Sequence, residues 1–158
     1  MIADLHNDLP KDLSFRSLRL GEVNPFRTHY LPVLEAGGVG LQVCAASSAF
    51  EMAEEGTLRL SLEQVAAFNE AVRDNEDRVV RVLSRGDLEP VVSGERIGLL
   101  LMMEGAEPLG YSPALFDVFW ELGVRMVSLS WNRRNPFADG AAESGGGLSK
   151  LGEQLVDR

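Results

Sequence analysis

Ala3-Asp4-Leu5-His6-Asn7-Asp8-Leu9-Pro10 is the stretch on which the reading of this chain turns. A short apolar strand runs into His-x-Asp and ends there. Alternate residues of a strand point to one side, so the spacing predicts that His6 and Asp8 project together. An imidazole and a carboxylate held at a strand end can grip a metal ion at the mouth of a barrel. Such a pair belongs to metal-assisted hydrolysis, and two donors do not complete a catalytic site.

Outward from this stretch, apolar runs and helical patterns take turns, the pattern of α/β proteins with parallel strands. Strands are expected at 2–6, 39–46, 79–83, 97–103 and 124–129. Between the first two lie mixed residues in which Pro25 and Pro32 limit regular structure, before Glu35-Ala36-Gly37-Gly38 closes a short helix. The spacing of Leu62, Val65, Ala66, Phe68, Ala71 and Val72 predicts a helix over 61–75. Ser61 is its expected N-cap, and Gln64 completes a capping box. Ser84-Arg85-Gly86-Asp87 leads into a short helical stretch that stops near Gly94. A further helix is expected from Pro113 to Leu122, with Ser112 as N-cap and Gly123 as stop. The last is expected over 148–156, after a glycine-rich stretch, 140–147, read as mobile.

The 158 residues suffice for one domain with its own core. Hydrophobic residues make up 45% and charged residues 25%, as in a soluble globular protein. A net charge of -9 argues against nucleic acid, whose phosphates require a basic face. No basic stretch followed by a long apolar one opens the chain, and no run is long enough to span a membrane, so a cytoplasmic protein is expected. Cys44, the single cysteine, forms no internal disulfide and reads as a small buried hydrophobe rather than a nucleophile.

Three expected strands finish in polar groups: His6 with Asp8, then Glu104, then Asn132. In parallel α/β folds the carboxyl ends of strands share one face, and function concentrates there. One histidine and two carboxylates on one rim suit a divalent ion such as zinc. Blander readings stand beside this one. A lone His-x-Asp is common by chance, and Glu104 serves equally as a salt-bridge partner. His29 reads as a surface or packing histidine, and Trp120 and Trp131 as core or pocket-wall aromatics. The acidic stretch 51–55 reads as a solvated face, and Gly145-Gly146-Gly147 lacks the lysine of a phosphate-binding loop.

The ordered motifs resemble the N-terminal half of the renal or membrane dipeptidase family of zinc peptidases. They are Asp4-Leu5-His6-Asn7-Asp8-Leu9-Pro10, Gly37-Gly38-Val39-Gly40-Leu41-Gln42, Glu104-Gly105, Leu122-Gly123-Val124-Arg125, Leu129-Ser130-Trp131-Asn132 with Asn135-Pro136, and Gly146-Gly147-Leu148 with Gly152. The resemblance implies a (β/α)8 TIM-barrel type fold, with residues 1–158 forming the first half of a single barrel domain. It implies two zinc ions, with His6 and Asp8 on the first and Glu104 bridging both. It also implies dipeptide substrates, some with a C-terminal D-residue. Trp131-Asn132 stands where animal members carry a histidine-containing motif. The remaining zinc ligands and the catalytic residues are expected downstream of Arg158, because His6 and His29 are the only histidines. A full barrel takes about 250 residues, so the chain is expected to be a fragment. The rival readings are a catalytically inert half that needs a complementary C-terminal half, and another barrel-type metal-dependent hydrolase; the expected protein partner is a missing C-terminal half or, in a homo-oligomer, a second copy of this chain. Amidohydrolases carry His-x-His after the first strand, and Asp8 counts against that assignment.

Overall fold

In the computed structural model, which describes residues 1–47 and 54–158, strands alternate with helices as the pattern requires. The strands are β1 (Ile2–Asn7), β2 (Val39–Ser47), β3 (Val79–Arg81), β4 (Ile97–Glu104) and β5 (Val124–Ser128). The α-helices are α1 (Leu9–Leu20), α2 (Leu31–Ala36), α3 (Glu54–Arg73), α4 (Glu89–Val92), α5 (Leu115–Glu121) and α6 (Lys150–Val156). One five-stranded sheet runs β1-β2-β4-β3, and β5 pairs with β4. The β1–β2 and β3–β4 pairs are parallel, an α/β architecture.

Residue contacts cluster into two compact units, Met1–Ala46 with Glu63–Leu101, and Ser47–Leu62 with Met102–Arg158. In the first, the core gathers Leu9, Leu13, Phe26, Val43, Phe68 and Leu99, each essentially inaccessible to water. β2 is buried from Gln42 through Ala46, as a strand covered on both faces should be. β1 differs, because it lies at the end of the strand order and leaves Leu5 66% exposed. In the second unit, Phe119, Val124 and Phe137 are fully buried.

Helix α1 corrects the irregular segment expected after the first strand. Pro10 lies in its first turn, where a missing N–H is harmless, and Gly21 closes it at φ 68°. Only Leu9, Pro10, Leu13 and Ser14 are buried on it, so the apolar stripe was too narrow to announce a helix. Helix α3 corrects the expected start at Ser61: it begins at Glu54, and Ser61 is buried mid-helix. Gly56 and Thr57 weaken local propensity there, yet Thr57 is buried and packing carries the helix through. Helix α5 begins at Leu115 with no side-chain cap, so Ser112 does not fill that role. The true cap missed by the sequence reading is Ser149, whose hydroxyl accepts from the Gly152 amide at 3.1 Å and starts α6. Of the acidic stretch 51–55, residues 51–53 lie outside the described residues, and Glu55 is exposed.

The turn after β4 depends on Gly105. Its amide donates to the carbonyl and hydroxyl of Ser128, and the next amide, Ala106, donates to Leu129 O. Gly105 has φ +81°, and a Cβ there would meet Glu107 Oε2 at 2.1 Å. Gly105→Ala therefore combines left-handed strain with displacement of Glu107 and is expected to destabilise the fold by about 1–3 kcal/mol. A urea titration checks this: the midpoint falls and the slope stays.

Candidate metal centre

His6 stands one residue before the end of β1, its amide donated to Asp4 Oδ1 at 3.1 Å. The strand ends at Asn7, so Asp8 does not reach the same side by strand alternation. Asp8 instead occupies the N-cap position of α1 with φ -77° and ψ 25°. Its carbonyl accepts from Lys11 and Asp12, while its carboxylate makes no capping hydrogen bond. The Asp8 carboxylate turns back toward His6, with Nε2 and Oδ1 4.0 Å apart and both side chains about half exposed. That separation is too long for a hydrogen bond.

Glu104 is the last residue of β4 and is half-buried after the buried run Leu101-Met102-Met103. Among the described residues, His6, Asp8 and Glu104 are the group that could hold a metal ion: one ligand atom from each lies within 4.8 Å of the others. Ligand atoms about 2.0–2.2 Å from a zinc ion are at most about 4.4 Å apart, so a span of up to 4.8 Å is close to the width of one coordination sphere. One imidazole and two carboxylates are donors that zinc accepts. Asn132, the third strand-end residue expected from the sequence, lies in the loop after β5, where its carbonyl accepts from the Ala142 amide at 2.8 Å.

The residues given blander readings have structural partners. Cys44 is fully buried, and burial pushes its thiol pKa up, away from thiolate chemistry. His29 Nε2 lies 2.7 Å from Glu22 Oε2. Trp120 is partly exposed, with the Arg125 guanidinium stacked 3.8 Å from its ring centre. Trp131 is 52% exposed just beyond β5.

Parallel strands alternating with helices, and acid and imidazole groups at the carboxyl ends of β1 and β4, define an α/β protein of the TIM-barrel type. The chain belongs to the membrane dipeptidase family, peptidase family M19, which matches residues 1–158. Dipeptidase 3 of Mus musculus is 28% identical over 181 residues, covering 99% of this chain and 33% of that protein. A solved amidohydrolase from Pseudomonas aeruginosa is 27% identical with a TM-score of 0.72, over 82% of this chain and 38% of that one. A metallo peptidase from Rhodobacter sphaeroides, liganded with a phosphinate mimic of the dipeptide L-Ala-D-Ala, aligns at a TM-score of 0.85 and 18% identity, over 99% of this chain and 54% of that one. The chain thus spans about a third of the length of the mouse relative. Among the described residues, no helix is long and apolar enough to cross a membrane.

The sequence reading missed what holds α1, and with it Asp8, in place. Tyr30 donates its hydroxyl to Asp12 Oδ2 at 2.5 Å, and Arg16 Nε reaches the same oxygen at 2.5 Å. Arg16 also donates to Glu22 at 3.1 Å. Asp12 and Arg16 at i, i+4 are the signal the sequence holds, and it is legible only where the segment is helical. Burial alone would raise the Asp12 pKa, but the Tyr30 hydroxyl and the Arg16 guanidinium outweigh it and hold it below the ordinary carboxylate value. A carboxylate lowered in the folded state stabilises above its unfolded pKa of about 3.9 and loses that contribution as pH falls. Asp12→Asn is therefore expected to lower the urea midpoint at pH 7. The gap to the unsubstituted chain should narrow below about pH 4.

Proposed function

We propose that this chain supplies the first donors of the metal centre of a metal-dependent dipeptidase, with zinc as the ion. The observation that carries this reading is the meeting of His6, Asp8 and Glu104 within 4.8 Å, in a chain of the membrane dipeptidase family. In this reading His6 and Asp8 would hold one ion, and Glu104 would serve as a ligand shared with a second. A bound zinc ion polarises a peptide carbonyl and lowers the pKa of a coordinated water toward about 7. The chain's own residues orient and neutralise charge: Asp8 and Glu104 bring two negative charges, and neutral His6 contributes a nitrogen. Holding the donors requires a deprotonated imidazole and ionised carboxylates, so affinity for the ion falls with acid.

The substrate class we propose is a dipeptide, including one with a C-terminal D-residue. The dipeptide mimic held by the Rhodobacter sphaeroides relative supports this choice. Three donors do not fill two zinc coordination spheres of about four ligands each. Further donors come, in this proposal, from a complementary C-terminal half. A second reading, an inert piece on its own, makes the same metal prediction and differs in catalysis.

Glu104→Gln removes a charge while keeping size, and it tests the bridge. Zinc uptake, read by isothermal titration, is expected to weaken by about 10–100-fold. Hydrolysis of L-Ala-D-Ala by the chain combined with a separately expressed C-terminal half is expected to fall with it. Unchanged zinc uptake and unchanged hydrolysis in Glu104→Gln would overturn the proposal.

A further inference from the structure

The pairing of β1 slips just where His6 stands. Against β2 the ladder reads Ile2↔Val39, Ala3↔Leu41, Asp4↔Gln42 and Asn7↔Cys44. The first break adds a residue on β2, and the second adds one on β1, between Asp4 and Asn7. Continued regularly from Asp4↔Gln42, the ladder would set His6 opposite Cys44, which is fully buried. The extra residue gives that place to Asn7, and the His6 side chain stays about half exposed. A bulge of this kind re-aims a side chain and disturbs the ladder around it.

Two side chains brace the break, one from each strand. Asp4 Oδ1 accepts from the His6 amide at 3.1 Å, two residues along the same strand. Gln42 Nε2 donates to Asp4 O at 3.4 Å and to Val43 O at 3.1 Å. Gln42 is fully buried, and its Oε1 has no hydrogen-bond partner among the described residues. A flipped amide would face Oε1 toward two carbonyls, so its orientation is fixed. An aliphatic residue there would avoid the unpaired oxygen but would give Asp4 no hydrogen bond. One chain of hydrogen bonds thus runs from Gln42, inside the buried part of β2, through Asp4 to the backbone of His6.

Burial does little to fix His6, because β1 ends the strand order and Ala3, Leu5 and His6 are all exposed. Its Nε2 nevertheless lies 4.0 Å from Asp8 Oδ1. Asp4 is not one of the three residues whose ligand atoms gather within 4.8 Å, so it has no direct place at an ion. We propose that Asp4 is a positioning residue: its carboxylate holds the His6 amide in the bulge, so that the imidazole is presented beside Asp8 before an ion arrives. This deepens the dipeptidase reading and rests on it for the identity of the ion. Donors held in advance bind more tightly, because less ordering remains to be done on binding.

The test uses the 158-residue chain with its histidines labelled with nitrogen-15, so that His6 and His29 give the only two amide signals. In Asp4→Ala the His6 amide proton is expected to move upfield and its hydrogen exchange to quicken about ten-fold, with the His29 signal in place. Zinc uptake by the same variant, read by isothermal titration, is expected to weaken about ten-fold. Asp4→Asn keeps an Oδ1 that accepts from the His6 amide and loses the charge. It is expected to restore most of the amide shift and most of the zinc affinity, which separates the hydrogen bond from simple attraction of the ion by a carboxylate. A folded Asp4→Ala chain with an unmoved His6 amide, or with undiminished zinc uptake, overturns the proposal. Asp4→Asn as weak for zinc as Asp4→Ala overturns it too, since charge is then the cause. Should Asp4→Ala fail to fold, exchange in the unsubstituted chain decides: a His6 amide exchanging at the free rate overturns the proposal, and a protected one together with zinc uptake by Asp4→Asn supports it. An unsubstituted chain that takes up no zinc counts against the metal reading, while the amide shift still decides whether Asp4 holds His6.

Discussion

A carboxylate cannot be placed inside a parallel strand buried on both faces, and this constraint organises the molecule. β4 pairs with β2, β3 and β5, and along it Leu99, Leu101 and Met103 are almost inaccessible. An ionised side chain within that run would carry a desolvation cost of several kcal/mol. The first position where a charge becomes affordable is the strand's end, and Glu104 stands there, half-buried. Burial makes the strand rigid, and the same burial pushes the functional group to its end. For the proposed metal centre this matters, since donors must be held in place before an ion arrives.

At His6 and Asp8, the other donors of the proposed centre, the physics is different. Asp8 sits where an aspartate ordinarily caps a helix, yet its carboxylate accepts no hydrogen bond from the α1 amides. A side-chain cap contributes about 0.5–2 kcal/mol, and the helix forgoes it. Pro10 in the first turn reduces the loss by removing one orphan amide from the count. The ties of Asp12 to Tyr30 and Arg16 hold the helix from its side instead. A local rule broken at one residue and compensated nearby is consistent with the metal-donor role proposed for Asp8.

Which parts of this were legible in the sequence follows from how far each interaction reaches along the chain. The strands announced themselves because burial on both faces leaves continuous apolar runs, and β2 and β4 are read within a residue of their observed ends. Glu104 was legible for the same reason, as a charge ending such a run. Helix α1 was not, because exposed Phe15, Leu18 and Leu20 blur its apolar stripe. The start of α3 was hidden because Gly56 and Thr57 argue against a helix locally and only packing overrules them. His6 and Asp8 lie 4.0 Å apart, but not through strand alternation, since the backbone leaves the strand before Asp8. Asn135, which donates to Glu107 and Leu129, gave almost no signal: its partners come from two separate segments, and hydrogen bonds of that kind leave no periodicity.

The turns after β4 and β5 show how fixed and variable parts can share one frame. Gly105 and Ala106 donate backbone amides to Ser128 and Leu129, so the two turns are joined irrespective of the side chains beyond them. The left-handed conformation of Gly105 leaves room for the Glu107 carboxylate to fold back over the backbone, where it meets Asn135. Glu104 thereby stands between the buried strand before it and the turn fixed by Gly105 after it. Trp131 to Arg134 lie beyond the end of β5 and take no part in the strand. Changes within that short segment can alter what the loop presents while the carboxylate at the end of β4 keeps its place. A fold built this way separates the part that must not move from the part that can be rewritten.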